Sequence, residues 1–281
     1  MSFCKQVSAL MLGVSVSVVM PRFRRLAARD IAEKSPGEIV TSVDIEAERR
    51  LADGLAALCP SARIIGEEAV AQDPGLLDRV GEGLVWLIDP LDGTGNYAAG
   101  RAPFGMMVAL IEDGVPQEGW IYDPVNGRMC YAARGQGAFC ESEQVHARPT
   151  GAVRPVAALG THFLSAPRRD RVHSWAERRL AVTGVPRCAA ESYPRLVFGQ
   201  NDMALFQRIL PWDHAAGALF LEEAGGVASH WDRTPYRVGG PGEGIFLAAN
   251  PELWETGARV LLGVEAGLAS PKATAPEIRA A

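Results

Sequence analysis

Cysteine is scarce in this sequence and follows no disulfide-forming or metal-binding pattern. The 281 residues contain 5 cysteines, and no two of them form a Cys-x-x-Cys pair. An odd number of scattered cysteines does not indicate a disulfide framework, and the missing pairs disfavour a zinc knuckle. Because reduced thiols are typical of the cytoplasm, we expect a cytoplasmic protein.

The sequence also lacks a strong excess of charge and a nucleotide-binding glycine motif. The 28 Lys and Arg residues against 33 Asp and Glu residues give a net charge of −5. This charge offers no general attraction to nucleic acid or to an anionic membrane, so we expect neither as a partner. No Gly-x-Gly-x-x-Gly follows a predicted strand, which disfavours a dinucleotide-binding dehydrogenase.

One apolar run near the start of the chain, Val7 to Met20, falls short of the roughly 20 residues that span a bilayer. It allows two interpretations, a buried N-terminal helix or the hydrophobic region of a signal peptide. Pro21 and several arginines follow it where a signal peptide would have a small-residue cleavage site. We therefore favour the buried helix.

Hydrophobic periodicity divides the chain into two halves of different texture. The first half is predicted to contain helices at 22–34 and 44–58 and strands at 63–65, 84–88, 104–111 and 119–122. Asn126-Gly127 predicts a tight hairpin into a strand at 129–131, with positive φ at both turn residues. The second half is predicted to alternate strands at 155–159, 202–206 and 246–249 with helices at 168–180, 213–223 and 252–262.

These textures predict an α+β protein with two units. Residues 1–150 form an N-terminal α+β half with an antiparallel sheet, and residues 151–264 form a C-terminal α/β half. Residues 265–281 are small, polar and Pro-containing, and we expect a flexible tail there.

The most informative stretch follows the predicted strand at 84–88 and reads Asp89-Pro90-Leu91-Asp92-Gly93-Thr94-Gly95-Asn96. Pro90 biases Asp89 towards an extended conformation, so Asp89 and Asp92 lie on either side of a tight turn, with the Leu91 carbonyl between them. The two glycines let the backbone turn sharply and bring its N–H groups close to a ligand. The loop therefore suits a hard cation together with a phosphate.

Two further stretches place acidic residues at the ends of predicted elements. Gly66-Glu67-Glu68 follows a strand, and Trp212-Asp213-His214-Ala215-Ala216-Gly217 begins a helix. Each has an ordinary structural explanation when taken alone. Glu67 and Glu68 fit a solvated pair, and Asp213 fits a helix N-cap. Spacing along the chain does not decide whether these groups meet in space.

Together and in this order, the three stretches resemble the signatures of the inositol monophosphatase family of metal-dependent phosphatases. Lys34-Ser35-Pro36-Gly37 through Val40-Thr41-Ser42-Val43-Asp44 is similar to that family's early loop. The resemblance covers roughly residues 20–262, and the Asp-Pro-Leu-Asp-Gly-Thr string is its most specific part. It implies alternating layers of helices and sheets in an αβαβα order, a homodimer, and inhibition by Li⁺.

The resemblance also implies a role for each matching residue. The implied ligands of about two or three Mg²⁺ ions are Glu67, Asp89, the Leu91 carbonyl, Asp92 and Asp213. Thr94 and Asp44 would hold and polarise the attacking water, with Glu68 in support. The implied substrate-binding groups are the N–H groups of Gly93 and Thr94, joined by Asp92 and Asp213. Lys34 would lie on a mobile loop near the third metal.

Elementary electrostatics supports such a set. Four carboxylates near one point carry about −4, which cannot persist without cations. Oxygen ligands favour Mg²⁺ over zinc. One ion would activate water and the other would neutralise the leaving oxygen of an in-line hydrolysis. His214 is tempting as a base beside Asp213, but we interpret it as a helix-surface histidine.

The pocket for the alcohol part of the substrate departs from the family's pattern. Members that act on inositol carry Gly-Ser/Thr-Ala-Ala before a helix and an acid seven positions before the last metal Asp. This sequence has Arg187-Cys188-Ala189-Ala190 and Phe206 at those places, which leaves Glu191 and Gln207 as candidate replacements for the acid. Losing a hydrogen-bonding group can change substrate preference by orders of magnitude.

The expected substrate is a small phosphorylated polyol or sugar, such as an inositol monophosphate. Fructose 1,6-bisphosphate, histidinol phosphate and phosphoadenosine phosphate are alternatives within the same family. A catalytically weak interaction protein is the alternative from another class, and the intact carboxylates disfavour it.

Overall fold

Helices are distributed along the whole described part of the chain. The computed structural model describes residues 3–35 and 37–263, so the tail predicted at 265–281 lies outside the described residues. The α-helices are α1 (Phe3–Val14), α2 (Met20–Arg22), α3 (Ser42–Leu58), α4 (Glu67–Gln72), α5 (Thr94–Ala98), α6 (Ala166–Ala176), α7 (Ala189–Val197), α8 (Pro211–Glu223) and α9 (Pro251–Gly257). Short π-helical turns, Ser15–Val19 and Ala258–Leu262, extend α1 and α9.

Within the described residues, the strands form two sheets and a hairpin. The hairpin pairs β1 (Ile31–Ser35) with β2 (Glu38–Thr41). The larger sheet contains β3 (Arg63–Gly66), β4 (Leu84–Asp92), β5 (Gly105–Glu112), β6 (Val115–Asp123), β7 (Arg128–Ala133), β8 (Gly137–Cys140) and β9 (Glu143–Val145), in that spatial order. The pair β3 and β4 is parallel, and every later pair in this sheet is antiparallel.

The second sheet is mixed. It contains β10 (Val156–Gly160), β11 (Ala181–Thr183), β12 (Met203–Phe206), β13 (Val227–Ser229) and β14 (Ile245–Ala248). Their spatial order is β11-β10-β12-β14-β13, in which β10 runs parallel to β11 and β12, while β14 runs antiparallel to β12 and β13.

Strand β4 shows how the layers are built. Its side chains alternate between two cores: Trp86 and Ile88 pack with α1 and α3, whereas Val85 and Leu87 pack with α7 and α8 on the opposite face. The second sheet covers the other side of α7 and α8, and a third core lies between that sheet and helices α6 and α9. This order of layers confirms the predicted αβαβα arrangement and the prediction that β4 is covered on both faces.

The helix predicted at 22–34 is wrong. The chain there makes a short 3₁₀ turn, Ala28–Asp30, and then enters β1. The charged, periodic sequence is compatible with a helix, but Gly37 turns the chain with φ of 82° and β2 supplies the backbone partners of β1. Pairing with a neighbouring strand therefore overrode local periodicity.

The hairpin at Asn126-Gly127 exists, but its turn differs from the predicted one. Strand β6 ends at Asp123, and strand β7 begins at Arg128. Of the two predicted turn residues, Gly127 has a positive φ, at 67°, and Asn126 does not. The Asp123 carboxylate accepts hydrogen bonds from the amides of Val125 and Asn126. This side-chain cap stabilises a four-residue loop in place of a two-residue turn.

The apolar N-terminal run forms the expected helix. Val7, Met11 and Val14 are buried against the core that contains α3. The helical stretch Phe3–Arg22 is nonetheless long and apolar enough to cross a membrane by length and composition, and 33% of its apolar 18-residue segment is buried in the protein. A core helix and an N-terminal signal sequence both meet these criteria.

Candidate metal and phosphate site

The carboxyl end of β4 supplies the centre of the site. Asp89 pairs with Met107, and Asp92 pairs with Gly105. Between these two pairs β4 has one more residue than β5, which is a β-bulge. In a regular strand, residues three apart point to opposite faces. The bulge removes that alternation and lets Asp89 and Asp92 face the same region. Gly93 follows with a left-handed φ of 82° and leads into α5.

Asp92 lies against the first turn of α7. Its Oδ2 accepts a hydrogen bond of 2.6 Å from the amide of Ala190. Burial and the Glu67 carboxylate raise the pKa of Asp92 to about 6, although the Ala190 amide works in the opposite direction. The two halves of the chain therefore meet at this carboxylate.

Asp89 is buried and Asp213 is half-buried, and each is close to the other acids of the site. Burial raises the pKa of Asp89 well above its usual value, and the charges of Glu67, Asp92 and Asp213 add to the effect. Burial and the charges of Asp92 and Glu67 do the same for Asp213. Asp213 comes from the first turn of α8, so three elements, α4, β4 and α8, direct acids at one region.

Thr94 and Asp44 are in direct contact. The Thr94 hydroxyl oxygen lies 2.9 Å from Oδ1 of Asp44 and 2.9 Å from the Leu91 carbonyl oxygen. The other Asp44 oxygen accepts a 2.8 Å hydrogen bond from the Thr41 amide, in the capping box that starts α3. Burial raises the pKa of Asp44 to about 6, against the effect of its hydrogen bonds to Thr41 and Thr94.

Glu67 and Glu68 begin α4 and share one cation. The Lys34 ammonium donates hydrogen bonds of 2.7 Å to Glu67 and 2.6 Å to Glu68. Burial lowers the pKa of Lys34, but the two carboxylates outweigh burial and raise it overall. Burial raises the pKa of Glu68 to about 7 despite the contact with Lys34. Lys34 lies on strand β1 and not on the loop that the resemblance implied, because β1 pairs with β2. Its ammonium nevertheless lies directly at the acids.

The donor chemistry fits a hard divalent cation. Glu67, Asp89, Asp92 and Asp213 offer oxygen atoms. The Glu67 charge raises the pKa of each of the three aspartates, which places the four acids within electrostatic reach of one another. Within 3–35 and 37–263, no three His, Cys, Asp or Glu side chains are already arranged as a coordination group. Buried, mutually repelling carboxylates need a countercharge, and oxygen ligands suit Mg²⁺.

Glu191 is tied into an arginine cluster. Its Oε2 accepts a 2.9 Å hydrogen bond from Arg128, and its Oε1 accepts one of 2.8 Å from Arg195. Both of its oxygens therefore already have partners. Phe206 ends β12, with its ring 5.3 Å from the His214 ring. The side-chain oxygen of Gln207 is buried and has no hydrogen-bond partner among the described residues.

The prediction that His214 lies on the helix surface is wrong. Its side chain is buried between α7 and α8, and burial lowers its pKa to about 4. Nε2 lies 3.2 Å from the Arg208 carbonyl, which can only accept, and Nδ1 lies 2.8 Å from the Tyr193 hydroxyl. The neutral ring is therefore fixed as a structural link, with both of its nitrogens engaged.

Glu48 is a buried acid at this site that the sequence analysis missed. It lies on α3 one turn after Asp44, and its oxygens accept hydrogen bonds from the amides of Glu68 and Ala69. The signal was present in the sequence, because Asp44 and Glu48 are spaced i, i+4 and share the helix face that carries Leu51 and Leu55.

Comparisons with known proteins agree on one family. The family model for the inositol monophosphatase family matches residues 6–263. The inositol-1-monophosphatase of Mycobacterium leprae is 35% identical over 228 residues, covering 78% of this chain and 77% of that protein. The Nus factor SuhB of Pseudomonas aeruginosa is 30% identical over 224 residues, covering 75% of this chain and 79% of that protein.

Solved structures share the fold. The Thermotoga maritima IMPase matches with a TM-score of 0.76 at 24% identity, covering 94% of this chain and 99% of that chain. The inositol monophosphatase II of Staphylococcus aureus matches with a TM-score of 0.78 at 22% identity, covering 94% of each chain. The chain belongs to the inositol monophosphatase family, a family of metal-dependent phosphoric monoester hydrolases.

Proposed function

We propose that this protein hydrolyses a small phosphate monoester, an inositol monophosphate or a sugar phosphate, with Mg²⁺ and releases inorganic phosphate. The observation that carries the proposal is the convergence of acids from α4, β4 and α8 beside the Thr94–Asp44 pair. A phosphate dianion could not approach these acids without cations, so metal and substrate binding depend on each other.

The residues that would hold the metal are Glu67, Asp89, the Leu91 carbonyl, Asp92 and Asp213. Bound Mg²⁺ would supply positive charge for the phosphate and acidity for a water molecule. The chain's own groups do the remaining work. The Thr94 hydroxyl, fixed at 2.9 Å from Asp44, orients a water molecule, and Asp44 with Glu68 accepts its proton. The amides of Gly93 and Thr94 would donate hydrogen bonds to phosphate oxygens.

The substrate specificity is determined where the alcohol part of the substrate would lie. The carboxylates hold metal and phosphate, which all candidate substrates share, so they give affinity without discrimination. Discrimination comes from Phe206, Glu191 and their neighbours. Both Glu191 oxygens accept hydrogen bonds from arginines, so Glu191 is not free to bind the hydroxyl groups of inositol. We therefore expect inositol monophosphate to be a poorer substrate than an ester whose alcohol part packs well against the apolar Phe206 side chain.

A bisphosphate substrate is the second candidate. The Arg128 and Arg195 side chains beside Glu191 could receive a second anionic group. A Thermotoga maritima relative, 30% identical over 203 residues, is named fructose-1,6-bisphosphatase/inositol-1-monophosphatase. The expectations of a homodimer, a cytoplasmic location and no nucleic-acid partner stay predictions, as does the division into units at 1–150 and 151–264.

The test is a turnover screen with purified protein and Mg²⁺ over inositol 1-phosphate, fructose 1,6-bisphosphate, histidinol phosphate, phosphoadenosine phosphate and glycerol 2-phosphate. Phosphate release that needs Mg²⁺ supports the proposal. Absence of release from all of these esters would favour the interaction-protein alternative.

A further inference from the structure

Glu48 is a buried acid whose partners are backbone amides. Its side chain is 7% exposed. Oε2 accepts a hydrogen bond of 2.7 Å from the amide of Glu68, and Oε1 accepts one of 2.8 Å from the amide of Ala69. Burying a carboxylate is costly unless its oxygens are hydrogen-bonded. Both oxygens are satisfied here, and both bonds go to the segment that carries the acids of α4.

These bonds replace a cap that α4 lacks. The first N–H groups of a helix have no partner within the helix. The N-cap residue of α4 is Gly66, which has no side chain to supply one. Glu48 reaches across from α3 and accepts from the first turn, so the orientation of Glu67 and Glu68 depends on a residue nearly 20 positions earlier in the chain.

Gly66 shows how tightly the two segments fit. A Cβ atom added to Gly66 would lie 2.2 Å from the carboxyl carbon of Glu48 and within 2.6 Å of both of its oxygens. The φ of Gly66 is −109°, which any residue adopts. Glycine is therefore required at this position by the approach of the Glu48 carboxylate and not by the backbone conformation.

The same helix positions the other half of the site. Asp44 is one turn before Glu48 on α3 and contacts Thr94, which follows β4. Residues four apart lie on one face of a helix. One rigid face of α3 thus contacts both segments that carry candidate metal and water-binding groups, the start of α4 through Glu48 and the start of α5 through Asp44.

We propose that Glu48 is a positioning residue of the metal site. It accepts hydrogen bonds from the amides of Glu68 and Ala69. These bonds hold the Glu67–Glu68 turn in a fixed position relative to Asp44 and Thr94. The proposal rests on the metal-dependent function proposed above. A residue with only a structural role would change the stability of the fold when replaced, whereas a positioning residue also changes the affinity for the metal.

The experiment compares wild type with Glu48→Ala and Glu48→Gln by titration calorimetry with Mg²⁺ alone. We expect Glu48→Ala to weaken Mg²⁺ binding by about 10–100-fold, the usual effect of losing a group that orients a metal ligand. Glu48→Gln keeps one carbonyl oxygen, so its affinity should lie between those of wild type and Glu48→Ala. Hydrogen exchange at the Glu68 and Ala69 amides should become faster in the same order.

Glu46→Gln is the matched control. Glu46 lies on the same helix, but its side chain pairs with Arg22 and Arg50, away from the acids. We expect its Mg²⁺ affinity to stay within about twofold of wild type. A folded Glu48→Ala protein that also stays within that range would overturn the proposal.

A double-mutant cycle with Gly66→Ala tests the contact itself. Gly66→Ala alone should displace the Glu48 carboxylate and weaken Mg²⁺ binding about as much as Glu48→Ala. In the Glu48→Ala background, Gly66→Ala should weaken Mg²⁺ binding little further, because the Glu48 carboxylate that its Cβ would contact is absent. Additive effects would contradict the proposal. Should Glu48→Ala fail to fold, the comparison of Glu48→Gln with Gly66→Ala tests the same contact.

The readouts separate this proposal from the function it rests on. Mg²⁺ binding and amide exchange are measured without substrate. A protein that hydrolyses no phosphate ester but loses Mg²⁺ affinity on Glu48→Ala would contradict the proposed function and leave the role of Glu48 intact. Mg²⁺-dependent turnover by the wild type, together with unchanged Mg²⁺ binding in Glu48→Ala, would support the proposed function and contradict the role of Glu48.

Discussion

Individual acids at the end of β4 differ in what holds them. Asp92 is fixed by the Ala190 amide at 2.6 Å, while Asp89 lies deeper and is affected by the charges of four other acids. A carboxylate and its amide isostere differ little in shape. Replacing one of these acids by its amide therefore removes charge without removing the fixed side-chain position.

Asp92→Asn should lower kcat by about 100-fold or more, since a lost metal ligand raises the barrier by a few kcal/mol and each 1.36 kcal/mol is tenfold in rate. The fold should survive, because the Asn oxygen still accepts from Ala190. The measurement is kcat at saturating Mg²⁺. Asp78→Asn, a substitution of an exposed aspartate, is the control and should leave kcat unchanged. A variant that keeps most of its kcat would show that Asp92 is not a ligand.

Phe206→Glu should raise the ratio of kcat/KM for inositol 1-phosphate to that for glycerol 2-phosphate by about tenfold. A carboxylate at this place would accept hydroxyl groups that the aromatic ring cannot bind. Phe206→Leu keeps the wall apolar and should leave the ratio unchanged. A wild type that already strongly prefers inositol 1-phosphate, with a ratio that Phe206→Glu does not move, would refute this view of the pocket.

Helix α8 illustrates how one element carries both function and stability. It carries Asp213 in its first turn at the site, packs on the large sheet through Ala215 and Ala216, and ends with the acids Glu222 and Glu223. Gly119 of β6 lets it approach, since a Cβ there would lie 2.9 Å from Ala216 Cα. Close packing of this kind leaves acids near the helix end partly dehydrated.

Burial raises the pKa of Glu222 from 4.5 to about 7, although Arg134 at 3.7 Å works in the opposite direction. Between these values the folded state binds more protons than the unfolded state, so this group lowers stability as the pH rises from about 4.5 to 7. Glu222→Gln removes this loss of stability, because the amide does not titrate. Allowing for partial exposure, the unfolding free energy of the variant minus that of wild type should be about 1 kcal/mol larger at pH 8 than at pH 5.

Urea unfolding at the two pH values measures this difference. Glu252→Gln, an exposed acid in the first turn of α9, is the control and should show no such gain. A Glu222→Gln protein whose relative stability is the same at pH 5 and pH 8 would indicate that Glu222 titrates normally in the folded state.

Across the chain, the proposed metal ligands link parts that are far apart in sequence. Glu67, Asp92 and Asp213 come from three different elements, α4, β4 and α8. A metal bound to all three stabilises the folded state alone, by RT ln(1 + [Mg²⁺]/Kd), or about 2.7 kcal/mol at a hundredfold excess over Kd.

Mg²⁺ should therefore raise the thermal unfolding midpoint and be required for turnover, and excess chelator should reverse both effects. Both effects should weaken as the pH falls through about 6, because protonated carboxylates do not bind metal and the pKa of Asp92 is raised to about 6. Asp213→Asn should lose most of the thermal shift. Full activity in excess chelator would contradict a metal-dependent mechanism.

Most of the regular elements and the chemistry of the site follow from local sequence. The apolar run at 84–88 predicted a strand covered on both faces, and β4 is such a strand. The Asp-Pro-Leu-Asp-Gly-Thr string predicted oxygen ligands beside a sharp glycine turn, which Gly93 provides. These features follow from side-chain polarity and backbone freedom, which are properties of a few neighbouring residues.

Tertiary structure decided what depends on partners distant along the chain. Strand β1 forms because β2 pairs with it, and α7 forms despite Pro194 because its buried face packs against α8. His214 is buried and Glu191 is engaged by arginines from two elements. Glu48 acquires its role from Glu68 and Ala69, with which it shares no local pattern. The physical reason is common to all of these cases: desolvation and hydrogen-bond partners are set by whichever segments the fold brings together.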